Sequence, residues 1–128
     1  MLFRSGGNYG WPLVSGYGEM QGYDFIRPVL QSRNDTWAPS GITFVTSGPR
    51  TGQLLVSTLR GSMLMAITFN ESGTQVLNVE RLLQGRYGRL REAYEARDGS
   101  IYLTTSNMDG RGRLNPGDDK ILRLVPSM

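Results

Sequence analysis

The sequence contains no cysteine and no histidine. Without cysteine there is no disulfide, no thiol nucleophile and no thiolate ligand for a metal. Without histidine the commonest metal ligand and the commonest general base are both gone. Lysine is nearly absent too. Lys120 is the only one, so the basic side of a net charge of +3 is carried by arginine. An arginine excess means either a solvated surface or sites that grip carboxylate or phosphate with forked hydrogen bonds. No apolar run approaches the length of a membrane span, which points away from a membrane. Met1-Leu2-Phe3-Arg4-Ser5 runs straight into glycines rather than into the apolar core of a secretory leader. No stretch carries a helical period.

What is present is a set of short apolar runs between turn signals, centred on residues 39–83. The runs at 42–46, 53–59, 62–69 and 75–83 are rich in β-branched and aromatic residues, as strands are. Gly48-Pro49 and Thr51-Gly52 separate the first two. Arg60-Gly61 has the length of a tight hairpin link, and Asn70-Glu71-Ser72-Gly73 joins the third run to the fourth. The two inner runs are nearly continuous in apolar residues and predict burial on both faces. The fourth alternates and predicts a strand with one wet face. Four consecutive antiparallel strands of this kind make the meander of a β-propeller blade.

The flanks are less regular. Residues 5–18 interleave glycines with Tyr9, Trp11 and Tyr17, and read as a turn-rich loop that packs its own rings. Residues 24–30 read as a short edge strand, with Pro28 tolerated only at an edge. After Leu83 the pattern repeats. Residues 86–96 carry Leu90 and Tyr94 as apolar positions, Asp98-Gly99 signals a hairpin, and 101–105 and 120–125 read as strands around a long polar loop at 106–119. The predicted class is therefore all-β, a partial propeller of about two blades. Residues 1–40 form a turn-rich entry, 41–83 a full blade and 88–125 a partial one. A propeller needs at least about four blades to close, so the missing blades or self-association must complete it.

Five motifs then point to one family. Gly-Gly-Asn-Tyr-Gly-Trp-Pro at 6–12, Trp-Ala-Pro-Ser-Gly-Ile-Thr-Phe at 37–44, Leu-Leu-Val-Ser-Thr-Leu-Arg-Gly at 54–61, the stretch 88–112 and Gly-Asp-Asp-Lys-Ile-Leu-Arg-Leu at 117–124 follow in the family's order. The chain resembles the C-terminal part of the glucose/sorbosone dehydrogenases. These are six-bladed propellers that oxidise aldoses with pyrroloquinoline quinone (PQQ) and are usually periplasmic or secreted. The resemblance implies that Arg60 reaches the quinone and that Arg89 and Arg91 grip the cofactor carboxylates. It also implies cofactor contacts from Thr105, with Thr104 as the near alternative, and from Thr36. It implies a calcium site from main-chain oxygens of Tyr9, Ser15 and Tyr17 with the carboxylate of Glu19. The family's catalytic base is a histidine of the N-terminal half. This sequence has none, so no catalytic residue is assigned and the chain is expected to be inactive alone.

The residues themselves agree in part. Arg89 and Arg91 are two apart and on a strand point to one face. Two guanidiniums on one face repel unless an anion lies between them, and a polycarboxylate cofactor is such an anion. The alternative is a solvated pair answered by Glu92 or Glu95. Calcium takes six or more oxygens, several of them charged, and Glu19 is the only acid near its loop. Asp109, Asn115, Asp118 and Asp119 are oxygen donors without EF-hand spacing, with Arg111 and Arg113 among them, and read as a solvated loop. A non-catalytic propeller module that binds carbohydrate or protein is the competing function. Nucleic acid is not expected, for want of lysines and of a recognised motif.

Overall fold

The computed structural model describes residues 4–127. Met1-Leu2-Phe3, part of the stretch read for a leader, and Met128 lie outside the described residues. The chain divides into two compact units at the Asp35–Thr36 boundary.

The first unit has no regular strand among its described residues. The edge strand expected at 24–30 does not form. Ile26 N–H donates to the Asn8 carbonyl at 2.8 Å, but no ladder extends from it. Tyr23 and Phe25 stack with ring centroids 5.3 Å apart. The expectation that the loop packs its own rings fails at Trp11 and Tyr17, which are 82% and 42% exposed.

The second unit is all β. β1 (Pro39–Phe44), β2 (Leu54–Thr58), β3 (Leu64–Phe69) and β4 (Val76–Leu82) form a four-stranded antiparallel sheet in sequence order. β5 (Leu90–Glu95), β6 (Ile101–Thr105) and β7 (Ile121–Leu124) form a three-stranded one, also in order. β2 is buried along its whole length, as its apolar run predicts, and β4 leaves Leu77, Asn78 and Arg81 in solvent. Arg60-Gly61 is not a two-residue hairpin. It is the centre of the loop 59–62, closed by Thr58 N–H on the Met63 carbonyl at 3.0 Å.

The two sheets share one core. Val45, Leu55, Leu64 and Ala66 of the first meet Leu90, Ala93, Ile101 and Leu103 of the second. Each large side chain so buried contributes about 1.5–3 kcal/mol. β1 packs against β5 closely enough that Gly41 admits no side chain, because a Cβ there would lie 2.7 Å from Glu92 Cα.

Two bulges decide which residues reach this core. In β5, Leu90 pairs with Thr105 and Glu92 with Thr104, so Arg91 is the extra residue. An inserted residue flips the face of everything beyond it. Leu90 and Ala93, three apart, therefore both point inward, while Tyr94, expected to be an apolar position, is 61% exposed. In β4 the same happens at Leu77, where Thr68 pairs with Asn78 and Phe69 with Val76. Leu77 stands in solvent for that reason.

Candidate functional site

The ladders assign each loop of the second unit to one of two ends. β1 begins where β2 ends, with Pro39 opposite Thr58, and Leu64 lies opposite Leu82. Gly85 N–H then donates to the Ser62 carbonyl, so β5 also starts at this end, and Leu90 lies opposite Thr105. Thr36, Arg60, Arg89, Arg91 and Thr105 therefore all sit at the same end of the two sheets. Strand polarity brings them there: each hairpin returns the chain.

Their local settings differ. Thr36 is exposed and leads into Trp37 and Ala38, whose carbonyls accept from Gly61 N–H and Leu59 N–H at 2.9 Å each. That pairing fixes the loop carrying Arg60, whose side chain is exposed. Thr105 is buried and its hydroxyl is engaged inside the protein. It donates to Asp119 Oδ1 at 3.1 Å and accepts from Lys120 N–H at 2.7 Å. Thr104 lies on the opposite face of β6.

Arg89 and Arg91 converge, and the anion between them belongs to the protein. Asp109 Oδ2 accepts from Arg89 Nε at 3.0 Å and lies 2.9 Å from its Nη2. Arg91 Nη2 is 3.5 Å from the same oxygen. Neither Glu92 nor Glu95 plays the part that sequence offered them. Glu92 accepts from Ala93 N–H, and Glu95 lies at the other end of β5, where it accepts from Thr46 and Ser47. The N–H of Arg111 holds the Asp109 carboxyl below the usual carboxylate range, helped by Arg89 and Ser106.

The loop 106–119 is solvated along 108–111 and 113–117, as expected, but it is held from within by Ser106, Asn107 and Asp118, whose side chains turn inward. Asn107 is 2% exposed. Its Oδ1 accepts from Arg89 N–H, and its Nδ2 donates to the Tyr87 carbonyl and to Asp118 Oδ2, all at 2.9–3.0 Å. Asp118, whose side chain is 1% exposed, also accepts from Asn115 N–H and pairs with Lys120. The Asn115 N–H, with Asn107 and Lys120, lowers its pKa. Asp119 Oδ1 accepts from Asn107 N–H at 2.6 Å. Two glycines make room: a Cβ at Gly88 would lie 3.0 Å from Asn107 Cγ, and one at Gly112 2.7 Å from Asn107 Cα. Sequence reasoning missed Asp109, Ser106 and Asn107 as partners of the arginines. The available signal was an Asx- and Ser-rich stretch directly after a strand, beside an arginine pair in need of an anion.

In the first unit, Ser15 gives its carbonyl to Gly18 N–H at 3.0 Å, and Tyr17 N–H donates to Gln31 Oε1 at 3.2 Å. The Tyr9 hydroxyl accepts from Arg4 N–H at 2.9 Å, and Glu19 is ion-paired with Arg27. Among the described residues no group of three or more Asp or Glu side chains gathers as a metal site would require.

Consecutive antiparallel meanders packed face to face, with an arginine-rich end, define part of a β-propeller. Residues 2–123 match the family model described as Glucose / Sorbosone dehydrogenase, and the chain belongs to that family. It is similar to the PQQ-bound aldose sugar dehydrogenase of Streptomyces coelicolor, with 39% identity over 91% of this chain and a TM-score of 0.75. It is also similar to a putative oxidoreductase (glucose dehydrogenase) of Thermus thermophilus, with 41% identity over 93% of this chain and a TM-score of 0.77. It spans 33% and 34% of the length of those two structures. A search of the curated proteins found no match.

Proposed function

We propose that this chain is the C-terminal portion of a PQQ-dependent sugar dehydrogenase and supplies the arginine side of its cofactor pocket. The observation that carries this is the shared end of Arg60, Arg89 and Arg91, where no hydrogen bond among the described residues engages Nη1 of Arg89 or Arg91. The donor set fits the cofactor, since PQQ bears several carboxylates and a planar guanidinium fork binds a carboxylate bidentately. Arg89 and Arg91 would hold those carboxylates, Arg60 would place a cation at the quinone, and Thr36 would add a hydroxyl. Thr105 would act mainly by tying the 106–119 loop to its strand. A calcium ion at Tyr9, Ser15, Tyr17 and Glu19 requires Glu19 to leave Arg27.

When bound, PQQ supplies the two-electron acceptor for oxidation of an aldose at its anomeric carbon. This chain's residues bind and orient; none takes the sugar's hydroxyl proton. Glu95 is no substitute base, because the hydrogen bonds from Thr46 N–H and its neighbours lower its pKa and so weaken it as a proton acceptor, and it sits at the wrong end of β5. Loss of a positioned base costs about a hundredfold to ten-thousandfold. The test is dye-linked reduction by the purified chain with PQQ, calcium and a panel of aldoses. No turnover above free PQQ is expected, with turnover restored on adding the N-terminal blades of a relative. Turnover by the chain alone would overturn the proposal. Aldose binding without PQQ binding would favour the non-catalytic module.

A further inference from the structure

Arg89 and Arg91 present the same edge of the guanidinium to the protein. Arg89 turns Nε and Nη2 onto Asp109 Oδ2. Arg91 turns Nε and Nη2 onto Ser106 Oγ, at 3.0 and 2.9 Å. Ser106 Oγ in turn donates to Asp109 Oδ2 at 3.3 Å, and Asp109 Oδ1 is fixed by Arg111 N–H at 2.9 Å. Among the described residues, no hydrogen bond engages Nη1 of either arginine. A guanidinium is a rigid planar fork of donors. With the Nε edge taken, the Nη1–Nη2 edge remains, and that edge matches a carboxylate.

We propose that Asp109 and Ser106 are positioning residues that hold Arg89 and Arg91 as a preset pair of forks for a ligand bearing two or more carboxylates. The inference rests on the reading of the cofactor site only in naming PQQ as that ligand. Charge and orientation make opposite claims about Asp109. Its negative charge opposes an incoming anion, so electrostatics alone would make the site better without it. Its position relieves the repulsion between two neighbouring guanidiniums and removes the rotamer freedom that a ligand would otherwise have to freeze. Arg91 needs this most, since its side chain is half exposed while that of Arg89 is 12% exposed.

The experiment is calorimetric titration of the full chain with PQQ and, separately, with benzene-1,3,5-tricarboxylate, using wild type, D109A, D109E, S106A and R89A. D109A and S106A are expected to weaken both ligands by about tenfold or more, even though D109A makes the site more positive, and D109E recovers part of the loss. R89A should abolish binding. Equal or tighter binding by D109A or S106A, unchanged binding by R89A, or no binding of either ligand by wild type would overturn the proposal. Binding of the tricarboxylate without PQQ would sink the cofactor reading and leave the positioning role standing on its own variants. Circular dichroism checks each fold. If D109A does not fold, S106A, which changes no charge, decides.

Discussion

Replacing Asn107 with alanine tests whether the 106–119 loop is held from within. The side chain is buried and makes three hydrogen bonds: from Arg89 N–H, to the Tyr87 carbonyl and to Asp118 Oδ2. A buried polar group left without its partner costs about 1–3 kcal/mol. Tyr87 and Arg89 are only part-buried, so water can answer their backbone groups, although the Asp118 side chain is enclosed. The expected loss is therefore about 2–4 kcal/mol rather than the full sum. For a domain near this size that lowers Tm by roughly 10 °C. The assay is denaturant and thermal unfolding at low protein concentration, with hydrogen exchange of the Arg89 amide as a local readout. The midpoint should fall with the slope unchanged, and the Arg89 amide should lose protection. Asn107→Asp should be no better at neutral pH. It keeps the acceptor for Arg89 N–H but cannot donate to Tyr87, and it sets a second carboxylate against Asp118. A loss under about 0.5 kcal/mol for Asn107→Ala, the size of an ordinary surface change, would refute the reasoning.

Other outcomes follow from the contact between the sheets and from their open edges. Gly41→Ala should cost about 1–3 kcal/mol, because its Cβ would meet the Cα of Glu92 in β5 as well as that residue's carboxyl, and only the carboxyl can swing aside; wild-type unfolding behaviour would show that β1 and β5 are less closely packed. Glu95 accepts from Thr46 N–H and Oγ1 and from Ser47 N–H and Oγ, and the Thr46 N–H leads in lowering its pKa from 4.5. A lowered folded pKa contributes stability above the unfolded value, lost as pH falls through the folded one. Wild type should therefore lose an increment of Tm below about pH 4.5 that Glu95→Gln lacks, and parallel pH profiles would contradict the assignment. The chain alone should self-associate, since β1, β4, β5 and β7 all end as sheet edges; sedimentation as a monomer at all concentrations would contradict this.

The strands of the second unit and their order were legible in the sequence, because alternation and turn residues act locally, whereas the edge strand expected at 24–30 did not form. Apolar runs between Gly, Pro, Asn and Asp signals fix where a strand begins and where it must turn. Successive hairpins then place Arg60, Arg89, Arg91 and Thr105 at one end by polarity alone. The tertiary structure decided what each side chain faces and what it touches. The bulge at Arg91 sent Leu90 and Ala93 inward and Tyr94 outward, because a single inserted residue reverses a period of two. The anion beside the arginines turned out to be Asp109, twenty residues from Arg89, not the glutamates next to them on the strand. Glu95 found its partners across the sheet interface at a separation of 49 residues. Such pairings depend on register, loop path and the packing of one sheet on another, and no local pattern of residues encodes those.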